Sequence, residues 1–368
     1  MVSEALARLE PDPGELGRRT LAAGNPVVPL VDEMLAAVPE PSRAAVHFGA
    51  TSQDVMDTAL MLVASRARTR ILAHLERAVA AATRLITRHR ATLMVARTLG
   101  QPALPTTFGL KATVWLDGLH EAAGRLRGTP LPAQLGGAAG TLAAYGGQGL
   151  RVMSLLAEEL HLVDRGRPWH TERSSVWSLA MALGGVGLSA GKVATDVILL
   201  SQSEVGEVAE GRPGGSSAMP QKRNPVTSVL LVAAARRTPG LVSSVLAAGL
   251  HEHERATGSW HAEWAPLRDL CRIAGGSAAH VADMLEGLRV DPEAMRRNLD
   301  AAQPGVMAEA YSIPLIARVG RQAAQEAARA AVAEASRTGL PLADPASYLG
   351  STGEIIDLMI GLASEDAR

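Results

Sequence analysis

The sequence predicts an all-α protein, an elongated bundle of long helices flanked by two small helical domains. Apolar residues recur at three- and four-residue spacing through most of the 368 residues, which is the period of an amphipathic helix. No segment shows convincing strand alternation. Glycine and proline gather in a few places, so the helices between them are long and their connections short. These three observations favour a helical bundle.

Seven segments carry the helical pattern most clearly. The first alternates apolar pairs with Arg, His and Glu, as an amphipathic helix of many turns does. The fourth is apolar nearly all round before it turns acidic, which is typical of a helix inside a bundle. In the fifth, Pro239 and Gly240 predict a kink or a break. The segments are residues 59–90, 112–127, 150–162, 174–210, 226–250, 267–288 and 323–336.

Breaks rich in glycine and proline separate these helices and suggest where domains end. The phrase LRVDPEAMRRNL, at residues 288–299, follows such a break and starts a helix with an acidic residue and a proline. We therefore predict a short N-terminal helical domain at residues 1–54, a central helical bundle at 55–288 and a C-terminal helical domain at 289–368. The breaks lie at residues 24–29, 100–109, 131–149, 211–225 and 340–353.

Charge and composition exclude several classes of partner. There are 36 basic residues against 37 acidic ones, a formal net charge of −1, and aromatic residues make up only 3%. Because nucleic-acid and membrane-surface binders show a basic excess, we expect neither as a partner. Cys271 is the single cysteine, so no internal disulfide can form. The acidic, proline-broken start lacks a secretory signal, and Lys192 and Asp196 interrupt the longest apolar stretch, so we expect a soluble cytoplasmic protein.

Residues 211–225 hold the densest set of chemically useful side chains, and we expect them to form the catalytic loop. Glycines let backbone N–H groups point inward and let the segment close over a ligand. Ser216, Lys222 and Asn224 supply hydroxyl, ammonium and amide groups, which suit a carboxylate or its enolate-like form. An ordinary solvated loop is the alternative. Against it, Lys222 is one of only three lysines in the chain, and the polar groups are crowded between prolines.

Three stretches resemble the fumarase/aspartase superfamily. GSSAMPQKRNP, at residues 215–225, resembles the GSSxMPxKxNP loop of that superfamily. HFGATSQDVMDT, at residues 47–58, is similar to the HxGxTSxDxxDT stretch of its adenylosuccinate lyase and carboxymuconate cycloisomerase branches. RTLGQPALPTTFG, at residues 97–109, resembles the third family region. The stretches occur in the family order, and the resemblance runs from about residue 23 to the C-terminus.

The resemblance implies roles for the loop residues. In this family the first serine of the loop takes the proton alpha to a carboxylate, and this catalytic role corresponds to Ser216. Because a free serine hydroxyl is a poor base, loop amides and nearby cations must favour its deprotonated form. The family's loop lysine and asparagine bind substrate carboxylate, and they correspond to Lys222 and Asn224.

Further substrate contacts are implied in the other two regions. Thr51 and Ser52 match residues that hydrogen-bond the substrate, with His47 beside them, and Thr98 and Gln101 match contacts in the third region. From the residue types alone, His47 could equally be a core or capping histidine. The run that starts at Thr51 also has the composition of a helix N-cap, a role that is compatible with ligand binding.

One departure from the family pattern favours a particular branch. Fumarases, argininosuccinate lyases and adenylosuccinate lyases carry a histidine where this sequence has Leu99, and leucine cannot exchange protons. The 3-carboxy-cis,cis-muconate cycloisomerase branch commonly lacks that histidine. WHTER at residues 169–173 and HEHERATGSWHAEW at 251–264 also resemble this branch, with Trp264 where adenylosuccinate lyases carry a phosphate-binding arginine. The planar fork of Arg255 is expected to clamp a carboxylate; a charged helix start is the alternative for that stretch.

The branch implies an activity and an assembly. The activity is the interconversion of 3-carboxy-cis,cis-muconate and a carboxymuconolactone, in the protocatechuate or β-ketoadipate route of aromatic-acid degradation. The assembly is a homotetramer in which three subunits contribute to each active site. The substrate would be a polycarboxylate and no cofactor is expected; no metal-binding motif in the sequence argues otherwise.

Two alternatives stay open. A β-elimination lyase of the same superfamily, acting on a succinyl-type or nitro-substituted dicarboxylate, would keep the loop but need another proton donor in place of Leu99. A non-catalytic scaffold with the inherited fold is the second alternative. Family members begin with several helices before the equivalent of residues 21–26, so the N-terminal domain is expected to be truncated, which favours a scaffold. The intact Ser216, Lys222 and Asn224 argue against it.

Overall fold

The structure, a computed structural model, describes residues 2–365 and is dominated by α-helices. The helices in these residues are α1 (Val2–Ala7), α2 (Pro13–Ala23), α3 (Val27–Ala37), α4 (Ser52–Arg88), α5 (Phe108–Gly128), α6 (Gly149–Glu159), α7 (Ser174–Leu200), α8 (Val226–Ala248), α9 (Ser259–Glu286), α10 (Pro292–Ala301), α11 (Ala308–Val319), α12 (Arg321–Thr338) and α13 (Thr352–Glu365). Short 3-10 helices occur at Glu40–Ala45, Ala143–Gln148, Gly305–Met307 and Pro345–Ser347. The strands are β1 (Leu93–Thr98), β2 (Gln101–Thr107), β3 (Val208–Ala209) and β4 (Arg289–Val290).

The predicted all-α class is confirmed, and each of the seven predicted segments falls on an observed helix. Several helix ends differ from the prediction, and two of them have a clear local cause. Helix α4 begins at Ser52, because the backbone N–H of Thr51 donates to Asp54 Oδ2 (2.9 Å) and so caps the first turn. Helix α7 ends at Leu200 and not at residue 210, since the chain turns there and Gly206 adopts a φ of 62°. Pro239 lies inside α8 without ending it.

The expectation that strands are absent is wrong at two places. Strands β1 and β2 form an antiparallel hairpin, and β3 pairs antiparallel with β4. Pro102 and Pro105 obscured β2 in the sequence, because proline cannot donate a ladder hydrogen bond. In a two-stranded ribbon both strands are edges, where proline is tolerated. An irregularity in the pairing between Val95 and Arg97 further disrupts the alternation.

The described residues pack into two compact units. The first unit comprises the residues up to Arg70, Gly128–Leu183 and Gly240–Cys271. The second comprises Ile71–Arg127, Gly184–Pro239 and the residues from Arg272 onward. The predicted domain boundaries at residues 54 and 288 stay a prediction.

Each unit has its own apolar core. In the first unit Met61 and Trp169 are almost completely buried, and Leu135, Leu142 and Met153 form a smaller cluster. In the second unit the buried rings of Phe108 and Trp115 meet edge to face, with centroids 5.6 Å apart. A further cluster of that unit joins β1 to the C-terminal helices through the buried side chains of Val95, Leu299, Val306 and Met307.

Two helices are long and apolar enough to meet a length-and-composition test for a membrane span. In α7, 56% of the most apolar window is buried inside the protein, as expected of a core helix. In α8 only 17% is buried, and Val229 and Leu230 are 52% and 64% exposed. Helix α8 therefore presents an apolar surface that this single chain does not cover.

A buried guanidinium organises the first unit. Arg173, which precedes α7, is 1% exposed and donates to both oxygens of Asp57 on α4 (2.7 and 3.0 Å). It also donates to Glu263 on α9, at 2.7 to 3.2 Å. Burial alone would lower the pKa of Arg173, but the charges of Asp57 and Glu263 raise it above its usual value. The cation thus joins three segments that are distant in sequence.

Replacing this cation should cost much of the stability. Arg173→Met leaves Asp57 and Glu263 buried without their counter-charge, so we expect the free energy of unfolding to fall by about 3–5 kcal/mol. Urea denaturation followed by circular dichroism measures it. The control is Arg337→Met, which breaks an exposed pair with Glu334 and should cost less than about 1 kcal/mol. Equal losses in the two variants would contradict the role given to Arg173.

Candidate active site

The predicted site residues divide between the two units. The structure places the following in the first unit: His47, Thr51, Ser52 and Arg255. It places the following in the second: Thr98, Gln101, Ser216, Lys222 and Asn224. Each set is described in its own unit.

In the first unit, the predicted N-cap at Thr51 is confirmed. Asp54, in the first turn of α4, accepts the Thr51 N–H with Oδ2. The same carboxylate accepts the backbone N–H groups of Gly136 and Gly137, each at 2.9 Å, and the ring nitrogen Nε2 of His170 at 2.6 Å. Thr51 and Ser52 are half-buried, whereas Asp54 is 2% exposed. A buried anion therefore fixes the backbone that carries the two hydroxyls.

His47 lies four residues before Thr51, in a left-handed backbone conformation with a φ of 54°. It lines a cavity of about 490 Å³ whose other walls are mostly apolar, Phe48 and Tyr145 among them. The Tyr145 hydroxyl donates to the Phe48 carbonyl at 2.7 Å, so this polar group is already paired. Such a lining offers few partners to a carboxylate.

Arg255 is half-buried and makes several contacts within the first unit. Its Nη1 donates to Gln53 Oε1 (3.0 Å), and its Nη2 donates to the carbonyls of Gly137 (3.3 Å) and Ala138 (2.9 Å). The guanidinium thus links the start of α4 to the loop around Gly137. Part of the fork that was expected to clamp a carboxylate is engaged with protein atoms.

In the second unit, Thr98 and Gln101 face each other at the tip of the β1–β2 hairpin. Leu99 and Gly100 form the turn, with φ values of 51° and 79°, and Leu99 is fully exposed. A left-handed conformation is unfavourable for leucine. Beneath the tip, Arg97 donates to both oxygens of Glu207 at 2.7 and 2.9 Å.

The 211–225 loop is closed at its base by backbone pairing. Gly214 and Asn224 exchange N–H···O=C hydrogen bonds, both 2.8 Å, and the Asn224 side-chain amide donates to the Gly215 carbonyl at 3.1 Å. A side chain on Gly214 would collide with Val226, because its Cβ would lie 2.3 Å from Val226 Cγ1. The loop is therefore held at one end while Lys222 remains exposed.

Ser216 is the loop residue with the most distinctive contacts. Its Oγ accepts the backbone N–H groups of Met219 (3.2 Å) and Ala218 (3.4 Å). Two N–H groups aimed at one oxygen favour a negative charge on it, which is the condition that a serine base requires. The side chain is half-exposed, so a ligand can reach it.

The other two lysines of the chain lie apart from this loop and share one carboxylate. Lys192 Nζ donates to Asp196 Oδ2 at 2.6 Å, and Lys111 Nζ is 4.0 Å from the same oxygen. Burial lowers the pKa of Lys111. Trp115 Nε1 also donates to Asp196. These two lysines therefore belong to a polar cluster around Asp196 in the second unit, in which Lys192 is exposed.

Sequence analysis gave no role to several residues that fix the first-unit site. Gln53, Asp54 and Asp57 lie within the HFGATSQDVMDT stretch, and His170 and Arg173 lie in WHTER. The signal that could have found these residues is the density of acidic, amide and basic side chains in the two segments. Within residues 2–365, no group of three His, Cys, Asp or Glu side chains is arranged to hold a metal ion.

Comparison with known proteins adds independent information. A family described as lyase matches residues 9–240. The 3-carboxy-cis,cis-muconate cycloisomerase of Pseudomonas aeruginosa is 43% identical, over 94% of this chain and 83% of that protein. The nitrosuccinate lyase of Streptomyces davaonensis is 39% identical, over 94% of this chain and 81% of its own. The crystal structure of the 3-carboxy-cis,cis-muconate lactonizing enzyme from Pseudomonas putida superposes with a TM-score of 0.89 and 36% identity, covering 98% of this chain and 87% of that one.

A glycine pair in the loop offers a matched test of its closed base. Gly214→Ala should push Asn224 and Val226 away and open the loop, whereas a Cβ on Gly215 meets nothing within 4 Å. We expect trypsin to cleave after Lys222 or Arg223 roughly tenfold faster in Gly214→Ala, because cleavage follows the population of the open state. Gly215→Ala should be cleaved like the unmodified chain. Equal cleavage of both variants would show that the pairing does not restrain the loop.

Proposed function

Because the chain belongs to the lyase family, within the fumarase/aspartase superfamily, we propose that it is a 3-carboxy-cis,cis-muconate cycloisomerase. The observation that carries the proposal is the 43% identity to a protein of that name over 94% of this chain. The contacts of Ser216 support it independently, since they suit the removal or return of a proton next to a carboxylate.

The proposed reaction is an isomerisation. In the forward direction one carboxylate oxygen of the substrate adds to the conjugated double bond, a C–O bond forms, and the neighbouring carbon receives a proton. In the reverse direction a base removes the proton alpha to a carboxylate, and the carboxylate oxygen leaves from the beta carbon. No atom is gained or lost and no carbon skeleton is oxidised overall, so the chemistry requires no redox cofactor.

Ser216 is the proposed base in the ring-opening direction. The N–H groups of Ala218 and Met219 stabilise its alkoxide, and the ammonium of Lys222 in the same loop adds a positive charge. Removing the alpha proton places a second negative charge on the adjacent carboxylate. Lys222 and Asn224 are proposed to bind that developing dianion.

The remaining residues are proposed to hold the other carboxylates and orient the carbon chain. In the first unit these are His47, Thr51, Ser52 and Arg255, and in the second Thr98 and Gln101. Leu99 supports the assignment to a cycloisomerase. Leucine cannot carry a proton, whereas the lyase branches have a histidine at this position. In a cycloisomerase the substrate's own carboxylate is the nucleophile, so no water has to be activated there.

A second candidate is a β-elimination lyase that acts on nitrosuccinate. The 39% identity to the nitrosuccinate lyase of Streptomyces davaonensis favours it. Ser216 would again take an alpha proton, and nitrite would leave from the adjacent carbon. The two candidates therefore share their base and differ in the leaving group.

We also propose that the protein is a cytoplasmic homotetramer whose subunits share active sites. The exposed apolar surface of α8 supports self-association. Only 17% of its most apolar window is buried, and an apolar surface of that kind is stabilised in water when another protein surface packs against it. A second copy of the chain offers the same surface and can supply that cover. Analytical ultracentrifugation that finds only monomers at micromolar concentration would contradict this assembly.

An absorbance assay tests the function. Addition of the carboxylate interrupts the conjugated diene, so purified protein mixed with 3-carboxy-cis,cis-muconate should abolish the diene absorbance in the ultraviolet. Nitrosuccinate in a parallel reaction should release little nitrite. Nitrite release with a flat diene trace would transfer the assignment to the second candidate. Failure of both reactions in a folded oligomer would favour the non-catalytic scaffold.

The serine base is tested by removing its oxygen. Ser216→Ala should lower kcat by roughly 100- to 10,000-fold, the usual contribution of a general base. Substrate affinity, measured by calorimetry on this slow variant, should change little, because the carboxylate-binding groups remain. Ser217→Ala is the matched control and should lose far less activity. Turnover of Ser216→Ala within a few fold of the unmodified chain would rule Ser216 out as the base.

A further inference from the structure

We propose that the buried pair of Asp54 and His170 is a positioning device that holds Thr51 and Ser52 in place for substrate binding. The proposal rests on the proposed function, because it concerns the same reaction and goes on to name which residues set its binding geometry. Neither member of the pair is offered as a catalytic residue.

The carboxylate of Asp54 accepts four hydrogen bonds. Its Oδ2 accepts the N–H groups of Thr51 and Gly137, and its Oδ1 accepts the Gly136 N–H and His170 Nε2. Three of these donors are backbone groups of the helix start and the facing loop. The fourth is the only side chain among them, and its 2.6 Å contact is the shortest of the set. His170 is therefore the one donor to the Asp54 carboxylate that a side-chain substitution can remove.

The surroundings of His170 exclude a direct catalytic role. The ring is 5% exposed. Its Nε2 edge is closed by Asp54, and its opposite edge packs on Gly136, where an added Cβ would lie 2.6 Å from Cε1 and 3.1 Å from Nδ1. Little of the ring surface is left for a substrate atom to contact. The residue can act on the reaction only through Asp54.

A second set of contacts fixes the backbone of His170. Gln53 Nε2 donates to the His170 carbonyl at 2.7 Å and to Asp57 Oδ2 at 3.1 Å. Gln53 Oε1 accepts from Arg255. The backbone of His170 is therefore hydrogen-bonded to α4, and α4 is the helix whose first turn the His170 side chain helps to position. Loss of the ring should free the Thr51 N–H and displace the two hydroxyls without touching the 211–225 loop.

The test compares His170→Phe with His170→Gln. Phenylalanine fills the space but cannot donate, so Asp54 loses its side-chain partner; we expect KM to rise roughly tenfold, the loss of one buried charged hydrogen bond, with kcat within about threefold. The glutamine amide can donate from a position near that of Nε2 and should restore KM to within about threefold. His89→Phe is the control, since it removes another buried histidine, which contacts Thr92 in the second unit. It should leave KM and kcat unchanged.

Hydrogen–deuterium exchange gives a second readout that needs no substrate. The Thr51 amide should lose protection in His170→Phe and keep it in His170→Gln. A fall in kcat at constant KM, an absence of rescue by glutamine, or unchanged exchange at Thr51 would overturn the proposal. If His170→Phe does not fold, His170→Asn takes its place. The shorter asparagine amide cannot reach Asp54, so this variant should show the same rise in KM and the same loss of protection at the Thr51 amide. Failure of the proposed function would give a different result. The unmodified chain would then turn over neither 3-carboxy-cis,cis-muconate nor nitrosuccinate, while its Thr51 amide would still be protected.

Discussion

The first unit depends on one buried cation. The guanidinium of Arg173 neutralises Asp57 and Glu263, which come from α4 and α9, and it lies 5.0 Å from the ring of Trp169. Three charged groups taken out of water are tolerated only when their geometry satisfies each of them. Because Asp57 lies one helical turn beyond Asp54, the same constraint that orients α4 also orients its first turn. Of the candidate binding residues, Ser52 stands on that turn and Thr51 directly precedes it.

The second unit uses buried acids in a comparable way. Glu207 is completely buried, holds Arg97 beneath the hairpin tip, and accepts Asn298 Nδ2 at 2.8 Å. Glu210 accepts the N–H groups of Thr227 and Ser228 and so caps the start of α8, immediately after the loop. In both units a buried carboxylate holds the backbone or side chains next to candidate binding residues: Asp54 binds the Thr51 N–H, and Glu207 binds Arg97 beside Thr98.

Most of the fold was predictable because its signals are local. Helical periodicity and glycine–proline breaks located seven helices, but two prolines concealed β2, since strand pairing depends on a partner and not on the strand alone. The candidate site was open to prediction where a contiguous motif carries it, as around Ser216, whose role stays a prediction. The pairing of Asp54 with His170 joins residues 116 positions apart, and periodicity holds no information about such a contact. Both residues were visible in the sequence, but their relation required the fold.

The contrast between local and distant contacts bears on how one fold can serve different reactions. Ser216 takes both of its N–H donors from residues two and three positions later, so the oxygen that we propose as the base is held within the loop itself. Arg255 is instead held by Gln53, 202 positions away, and the Asp54 that binds the Thr51 N–H is itself held by His170, 116 positions away, in a frame of long-range contacts. A change in that frame can alter which anion is bound while the proton-transfer group stays intact. The chain's similarity to both a cycloisomerase and a nitrosuccinate lyase agrees with this separation, because the two reactions proposed for this chain share an alpha proton and differ in what departs from the neighbouring carbon.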